Sequence, residues 1–176
     1  SQQPSLAVAG THGKTTTTTL LAHLLHDRCN AFLGGISAAT GSNLYLNRDA
    51  HWKVVEADEF DRSFLHLHPT HAAITSLDPD HLDIYGDAAA FTAGFEEFAG
   101  QIQERLILDH TLSYRLHPPC PVRTYGIEAG DVQATAVVRD GARTQFTLVH
   151  PDGSPITGCV LPMPGLHNLE NAVAAA

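Results

Sequence analysis

A glycine-rich loop between an apolar run and a helical pattern constrains this chain more than any other feature. Residues 9–16 read Ala-Gly-Thr-His-Gly-Lys-Thr-Thr; they follow the apolar residues 6–8 and precede a leucine-rich helical pattern at residues 20–25. A strand that turns through glycines into a helix directs backbone N–H groups and the positive helix end toward an anion. This order of elements predicts an α/β fold with a loop that binds the phosphates of a nucleoside triphosphate.

The side chains of this loop have separate expected roles. Lys14 is long enough to reach the terminal phosphates, and the Thr15 hydroxyl can hold Mg²⁺. The general phosphate-loop pattern has a further glycine at the position of Val8, so the chain carries a variant of it. The alternative, a glycine turn with a solvated lysine, is disfavoured because strand, loop and helix come in the required order. The predicted nucleotide-binding residues of the loop are Gly10, Thr11, His12, Gly13, Lys14, Thr15 and Thr16.

Length and charge limit the classes of function that fit. A chain of 176 residues with 43% hydrophobic residues can bury a full core as a single domain. Its formal net charge of -9 argues against a nucleic acid or an anionic membrane surface as a partner. The sequence shows no apolar stretch of membrane-spanning length and no signal-peptide pattern at its start, so we expect a cytoplasmic protein.

Cysteine and histidine spacing gives little indication of a metal site. The three cysteines, Cys29, Cys120 and Cys159, lie far apart without C-x-x-C spacing, so we expect reduced thiols. His66, His68 and His71 are close in sequence and could form a metal cluster. Pro69 interrupts them and no thiol or carboxylate recurs at a ligand spacing, which favours polar loop histidines.

Apolar periodicity predicts alternating strands and helices over the first two thirds of the chain. The predicted strands cover residues 6–9, 31–33, 52–56, 71–76, 105–109 and 122–125, and the predicted helices cover residues 14–27 and 88–103. Asp87 can cap the second helix, and the spacing of Phe91, Phe95 and Phe98 indicates a core-facing stripe. The sequence thus predicts a mostly parallel, Rossmann-like sheet of the phosphate-loop type, flanked by helices.

The pattern changes near the C-terminus. Asp-Gly pairs at residues 140–141 and 152–153 separate alternating apolar segments, which predicts a small antiparallel β appendage over residues 130–162. A helical pattern then begins at residue 166 and continues to the last residue, 176. We therefore expect the chain to be part of a longer protein.

Acidic residues follow two of the predicted strands. Four carboxylates occur in residues 56–61, beginning with Glu56 at a strand end, where α/β folds bind their ligands. Glu56 could hold Mg²⁺, because hard cations prefer oxygen ligands; a solvated acidic loop is the alternative. Asp80 and His81 also follow a strand and could form a second metal site or a substrate-orienting site.

Five motifs, taken together and in order, are more specific than any one of them. They are residues 10–16, 56–59 (Glu-Ala-Asp-Glu), 63–65 (Ser-Phe-Leu), 80–83 (Asp-His-Leu-Asp) and 164–172 (Pro-Gly-Leu-His-Asn-Leu-Glu-Asn-Ala). In these motifs the chain resembles the central, ATP-binding domain of the Mur ligases, ATP-dependent amide-forming enzymes of peptidoglycan precursor synthesis. The resemblance covers residues 1–176, and the missing first glycine is usual in that family. It implies that an N-terminal UDP-binding domain and a C-terminal amino-acid-binding domain lie outside this chain.

Within that family, the loop resembles one branch in particular. With His12 at this position, the loop resembles that of the branch that joins L-alanine to UDP-N-acetylmuramate, or that of a relative that recycles murein tripeptide. Lys14 and Lys53 are the only lysines, so no residue after His81 matches the carbamylated lysine of several other branches. Ser76 departs from the family, which commonly has Asn there, and its contact is left open.

The resemblance also implies roles for individual residues. Lys14, Glu56 and His81 are the expected catalytic residues; Thr15, Glu56 and His81 are the expected Mg²⁺ ligands. His167, Asn168 and Asn171 are expected to contact the adenosine end of ATP, with helix capping as the alternative for Asn168. Gly34, Gly35 and Ser63 would approach the muramyl substrate. The isolated chain is expected to bind Mg·ATP weakly and not to ligate.

Other classes of protein use similar loops. A nucleotide kinase needs an arginine-rich lid, and a GTPase switch needs an Asn-Lys-x-Asp motif that this sequence lacks. A folate polyglutamate ligase shares the chemistry, but its loop normally continues with Gly and Ser after the lysine. A nucleotide-binding module without ligase activity is the remaining alternative.

Overall fold

The computed structural model describes residues 3–36, 41–79 and 82–176. Within them the strands are β1 (Ser5–Ala9), β2 (Cys29–Phe32), β3 (Leu44–Tyr45), β4 (Trp52–Glu56), β5 (His71–Ile74), β6 (Arg105–Asp109), β7 (Val122–Ile127), β8 (Val132–Asp140), β9 (Arg143–Val149) and β10 (Pro155–Leu161). The helices are α1 (Lys14–Leu24), α2 (Leu82–Tyr85), α3 (Ala88–Gly100) and α4 (Leu166–Ala175), with 3₁₀ turns at Ser63–His66 and His110–Leu112.

All strands belong to one sheet, in the order β10-β9-β8-β7-β6-β5-β1-β4-β2-β3. The central strand β1 pairs in parallel with β4 and with β5, so that Leu6 lies beside Val54 on one side and His71 on the other. Strands β2, β6 and β7 continue the parallel arrangement. The predicted α/β fold is confirmed, and the carboxyl ends of β1, β4, β5 and β6 meet at one edge, where such folds bind ligands.

The predicted helices are present but end earlier than the sequence suggested. Helix α1 stops at Leu24, and the next residues form a tighter turn in which the His26 N–H bonds to the His23 carbonyl at 3.3 Å. Helix α3 stops at Gly100. The Gln103 N–H then donates to the Pro69 carbonyl at 3.0 Å, so tertiary hydrogen bonds replace the last expected helical turn.

The phenylalanine stripe of α3 forms the centre of the main core. Phe91, Phe95 and Phe98 are fully buried, and the ring of Phe64 lies 5.2 Å from Phe95 and 5.1 Å from Phe98, centroid to centroid. The Asp87 side chain accepts a hydrogen bond from the backbone of the helix it caps, at 2.8 Å. The predicted cap and the predicted core face are both confirmed.

The C-terminal strands form the expected antiparallel region, and they also extend the main sheet. β8, β9 and β10 pair antiparallel. β8 pairs in parallel with β7, although only residues 128–131 connect the two strands. Positive φ angles at Glu128 (54°) and Gly130 (88°) allow this tight connection, and a Cβ at Gly130 would lie 2.9 Å from the Tyr125 Cα.

The three cysteines are free thiols. Cys29 is fully buried in β2, and burial raises its pKa. Cys120 and Cys159 are partly exposed. In the part of the chain that the structure describes, the helices are too short or too polar to cross a membrane.

Candidate functional site

The loop between β1 and α1 has a conformation that strongly favours glycine at two positions. Gly13 precedes the first residue of α1 with φ 82°, and Gly10 has φ 131°. A Cβ at Gly10 would collide with the Thr75 hydroxyl, and one at Gly13 would collide with the Asn171 carboxamide. The sequence places glycine here because the backbone must pass close to β5 and α4 before it enters the helix.

The end of β5 holds this loop through backbone and hydroxyl groups. The His12 N–H donates to the Ser76 hydroxyl at 2.7 Å, and the Thr75 hydroxyl donates to the His12 carbonyl at 2.5 Å. Thr11 donates its hydroxyl hydrogen to the Asp78 carbonyl at 2.8 Å. The contact of Ser76 that the sequence left open is therefore with the loop backbone. Residues Thr11, Gly13, Lys14, Thr15 and Thr16 line a small open cleft of about 250 Å³ at the helix start.

Lys14 has a partner that the sequence did not identify as a site residue. Its ammonium group donates to both carboxylate oxygens of Glu59, at 2.9 and 2.7 Å, and to the Gly10 carbonyl at 2.9 Å. The side chain of Glu59 is 1% exposed and that of Lys14 is 14% exposed. A fully desolvated carboxylate needs such a cation to offset its burial.

Tyr85 forms a hydrogen bond with the backbone of Glu59. Its hydroxyl donates to the Glu59 backbone carbonyl at 2.7 Å. Burial raises the pKa of Tyr85 to about 12, and the negative charge of Glu59 contributes to this shift. The tyrosine therefore remains a neutral hydrogen-bond donor at physiological pH.

The two predicted Mg²⁺ ligands lie side by side. The Thr15 hydroxyl is 2.9 Å from one carboxylate oxygen of Glu56, and the Gly34 N–H donates to the other at 2.9 Å. A hydroxyl and a carboxylate are the hard oxygen ligands that Mg²⁺ takes when phosphates supply the rest. No group of three or more His, Cys, Asp or Glu side chains gathers for a metal among residues 3–36, 41–79 and 82–176. The pair thus fits a nucleotide-bound cation better than an all-protein metal site.

The predicted residues Asp80 and His81 lie outside the described residues, so their roles stay predictions. Nearby Asp78 is described: its carboxylate is 4.0 Å from the His12 ring nitrogen, and both side chains are largely exposed.

The three predicted residues on α4 divide into two groups. Asn171 is 8% exposed and packs against Gly13, and His167 stands over Gly165 at the helix start. Both face a cleft of about 350 Å³ beside the loop. Asn168 is not among the residues lining that cleft, and its side chain donates to the Pro164 carbonyl at 2.6 Å. The N-cap of α4 is Gly165, so Asn168 does not cap the helix as an acceptor.

This cleft contains residues that the sequence reasoning did not assign. Asp109 at the end of β6, Tyr125 of β7 and Glu170 of α4 complete its wall. Burial raises the pKa of Glu170, and the charge of nearby Asp109 adds to the shift. Burial also raises the pKa of Tyr125. Asp109 could have been found from its position at a strand end, and Glu170 from its place inside the motif at residues 164–172.

A phosphate-type loop, a threonine–carboxylate pair and an asparagine-bearing helix meet at one sheet edge, and comparison with known proteins agrees with this arrangement. The family model described as Mur ligase middle domain matches residues 8–176. The chain belongs to this family. The resemblance inferred from the five motifs is therefore confirmed.

Known relatives match nearly the whole chain. A UDP-N-acetylmuramate–L-alanine ligase from Porphyromonas gingivalis is 49% identical over 97% of this chain and 39% of its own length. Another protein of that name, from Xylella fastidiosa, is 44% identical over 97% of this chain and 38% of its own length. The chain thus spans about two fifths of the length of these curated relatives.

Solved structures show the same fold. The UDP-N-acetylmuramate-alanine ligase of Thermotoga maritima superposes with a TM-score of 0.80 at 26% identity, over 99% of this chain and 40% of that one. A UDP-N-acetylmuramate:L-alanyl-gamma-D-glutamyl-meso-diaminopimelate ligase from Neisseria meningitides superposes with a TM-score of 0.82 at 29% identity, over 97% and 59%. Both comparisons include the phosphate-loop half and the antiparallel end of the sheet.

Proposed function

We propose that this chain is the ATP-binding domain of an ADP-forming ligase that joins L-alanine to UDP-N-acetylmuramate. The observation that carries the proposal is the placement of Lys14, Thr15 and Glu56 at one sheet edge in a Mur ligase fold. The substrate assignment is supported by curated relatives of that name at 44–49% identity. The tripeptide-recycling reaction is the less favoured alternative. The solved L-alanine and tripeptide ligases are similarly distant, at 26% and 29% identity, so the preference rests on the names of the curated relatives.

The proposed reaction has two steps. The carboxylate of UDP-N-acetylmuramate attacks the γ-phosphorus of ATP, and ADP leaves, which gives an acyl phosphate. The amine of L-alanine then attacks the acyl carbon, loses a proton, and inorganic phosphate leaves as the amide forms. Activation is needed because a carboxylate is a poor electrophile.

The residues of this chain would act on the first step. Lys14 and the backbone N–H groups at the start of α1 would neutralise charge on the transferring phosphoryl group, where such reactions gain most of their rate. Thr15 and Glu56 would hold Mg²⁺, which supplies further positive charge to the phosphate oxygens. For His81, a second Mg²⁺ near the acceptor carboxylate remains the expectation from sequence.

The adenosine end of ATP would occupy the cleft between the loop and α4. Asn171 and His167 line it together with Asp109 and Glu170, which adds two carboxylates to the expected contacts. Carboxylate oxygens accept hydrogen bonds and suit the amino group of adenine. Asn168 is a weaker candidate, because its amide is bonded to Pro164.

We propose that UDP and the incoming amino acid bind to parts of the protein outside these 176 residues, as the family resemblance implies. The chain covers about two fifths of the length of its relatives, which supports this division. We therefore propose that the isolated chain binds Mg·ATP and does not form the amide bond. Alanine-dependent phosphate release by the isolated chain would contradict this division.

Two experiments test the proposal. In the full-length protein, coupled phosphate release should depend on UDP-N-acetylmuramate and L-alanine; a preference for tripeptide would select the recycling reaction instead. In the isolated chain, calorimetry should detect Mg·ATP binding that Thr15→Val and Glu56→Gln both weaken. Thr92→Val removes a hydroxyl within α3 and serves as the control. Equal affinity in all four proteins would refute the assigned site.

A further inference from the structure

The ion pair between Lys14 and Glu59 is the strongest feature of the site that the reaction above does not use. Glu59 lies three residues beyond the end of β4, and its side chain is 1% exposed. Its carboxylate takes two hydrogen bonds from one ammonium group, at 2.9 and 2.7 Å. A carboxylate this deeply buried is costly unless it is paired, so the contact with Lys14 is part of how this region folds.

The geometry of the ammonium group makes this contact relevant to nucleotide binding. A lysine ammonium has three hydrogens. In this structure Lys14 directs three hydrogen bonds to protein oxygens, two on Glu59 and one on Gly10. A phosphate oxygen that takes a hydrogen bond from Lys14 must therefore replace or share one of these contacts.

Repulsion between negative charges also makes Glu59 and a bound phosphate compete for Lys14. The Glu59 carboxylate and a phosphate bound by Lys14 would both lie within hydrogen-bond distance of the same nitrogen, so two anions would be only a few ångströms apart. Their repulsion is weakly screened, because Glu59 is buried and salt screening mainly affects exposed charges. Glu59 thus opposes phosphate binding while it fixes the position of the lysine.

We propose that Glu59 is a positioning residue that competes with the β- and γ-phosphates of the nucleotide for the Lys14 ammonium group. This inference rests on the proposed nucleotide-binding function. Glu59 holds the lysine side chain within the loop in one orientation, and the cost is weaker binding of the triphosphate. The competition is confined to nucleotides with a β-phosphate, because the lysine of such loops reaches the β- and γ-phosphates and not the α-phosphate.

The test compares the affinities of ATP, ADP and AMP for the wild-type chain and for Glu59→Gln, by calorimetry in one Mg²⁺ buffer. Glutamine keeps the size of the side chain and one acceptor oxygen but removes the charge. We expect ATP and ADP to bind Glu59→Gln about three- to tenfold more tightly, which corresponds to the net contribution of one ordinary hydrogen bond. We expect the AMP affinity to stay within about twofold of wild type.

Two further variants control for charge and for shape. Glu104→Gln removes one negative charge from an exposed residue, 3.6 Å from His71 at the opposite edge of the sheet, and should leave all three affinities unchanged. Glu59→Asp keeps the charge on a shorter side chain, so its ATP affinity should lie closer to wild type than that of Glu59→Gln.

Each outcome separates the inference from the function on which it rests. If wild type binds neither ATP nor AMP, both proposals fail. If wild type binds ATP but Glu59→Gln binds it equally or more weakly, the competition is refuted and the nucleotide site stands. Equal tightening of ATP and AMP would also refute it, because a general loosening of the site would act on both nucleotides.

A second measurement needs no variant at Glu59. The chain has two lysines, so ¹⁵N-lysine labelling gives one ammonium signal for Lys14 and one for the exposed Lys53 as an internal reference. When ATP or ADP is added, a phosphate should replace Glu59 as a hydrogen-bond partner of Lys14, and this should shift the Lys14 signal. AMP should leave the signal unchanged. A Lys14 signal that does not respond to saturating ATP would refute the competition.

Discussion

Replacement of Lys14 by methionine should unfold the protein more easily, and not only impair nucleotide binding. The variant removes the only cation that the structure pairs with the Glu59 carboxylate among the described residues, and that side chain is 1% exposed. Breaking a buried pair from one side typically costs about 3–5 kcal/mol, because the remaining charge stays desolvated. A domain of this size has a free energy of unfolding of about 5–15 kcal/mol. Lys14→Met is therefore expected to lose a substantial fraction of the stability of the protein.

A second substitution should recover much of this loss. In Lys14→Met/Glu59→Gln neither position carries a charge, and the residual cost is that of an amide with too few partners, about 1–3 kcal/mol. The double variant should accordingly be more stable than the single variant by about 2 kcal/mol. Lys53→Met changes an exposed lysine in the same way and should cost less than about 0.5 kcal/mol.

Urea unfolding measures these differences directly. Trp52, the one tryptophan of the chain, lies in β4 and reports unfolding of the sheet through its fluorescence. Equal stability of Lys14→Met and wild type would contradict the prediction, and so would a double variant that is no more stable than the single one. If Lys14→Met is destabilised as predicted, loss of function in a Lys14 variant reports on folding as well as on catalysis.

Three further predictions concern pH, loop geometry and thiol access. Burial lowers the pKa of His71 below its usual value of 6.5, so the unfolded chain binds more protons than the folded one. The free energy of unfolding therefore decreases as the pH falls below about 7. His71→Gln should lose less stability than wild type between about pH 7 and 5, whereas His68→Gln, at an exposed position, should behave as wild type. Gly13→Ala should weaken ATP binding at least about tenfold in calorimetry, because alanine is strained at φ 82° and would collide with Asn171; unchanged affinity would contradict the loop geometry. Cys29 should react with a thiol reagent only after unfolding, whereas the other two cysteines react in the native protein; rapid reaction of all three would be inconsistent with its burial.

Much of the fold could be predicted because its signals are local. The strand at Trp52–Glu56 and the strand at Arg105–Asp109 begin and end where the apolar pattern does. The Asp-Gly pairs at residues 140–141 and 152–153 mark the two antiparallel turns for the same reason. Short-range patterns of this kind do not depend on what the rest of the chain does.

The features that the sequence did not reveal depend on distant contacts. Strand β3 has only two residues and exists because it pairs with β2. The parallel pairing of β7 with β8 runs against the rule that parallel neighbours need a long crossover. Glu59 is one of four carboxylates in an acidic loop, and 45 residues separate it from Lys14. Only the assembled sheet distinguishes it from Asp58 and Asp61.

The junction of β7 with β8 has a mechanical consequence for the cleft. Tyr125 of β7 lines the cleft and also belongs to the apolar cluster formed with Leu148 and Leu161 of the hairpins and Leu169 of α4. The hairpins therefore cannot tilt as a separate body without stretching the β7–β8 hydrogen bonds or shifting α4, which carries Asn171. A load applied to the outer strands would reach the wall of the cleft directly, through a stiff and continuous sheet.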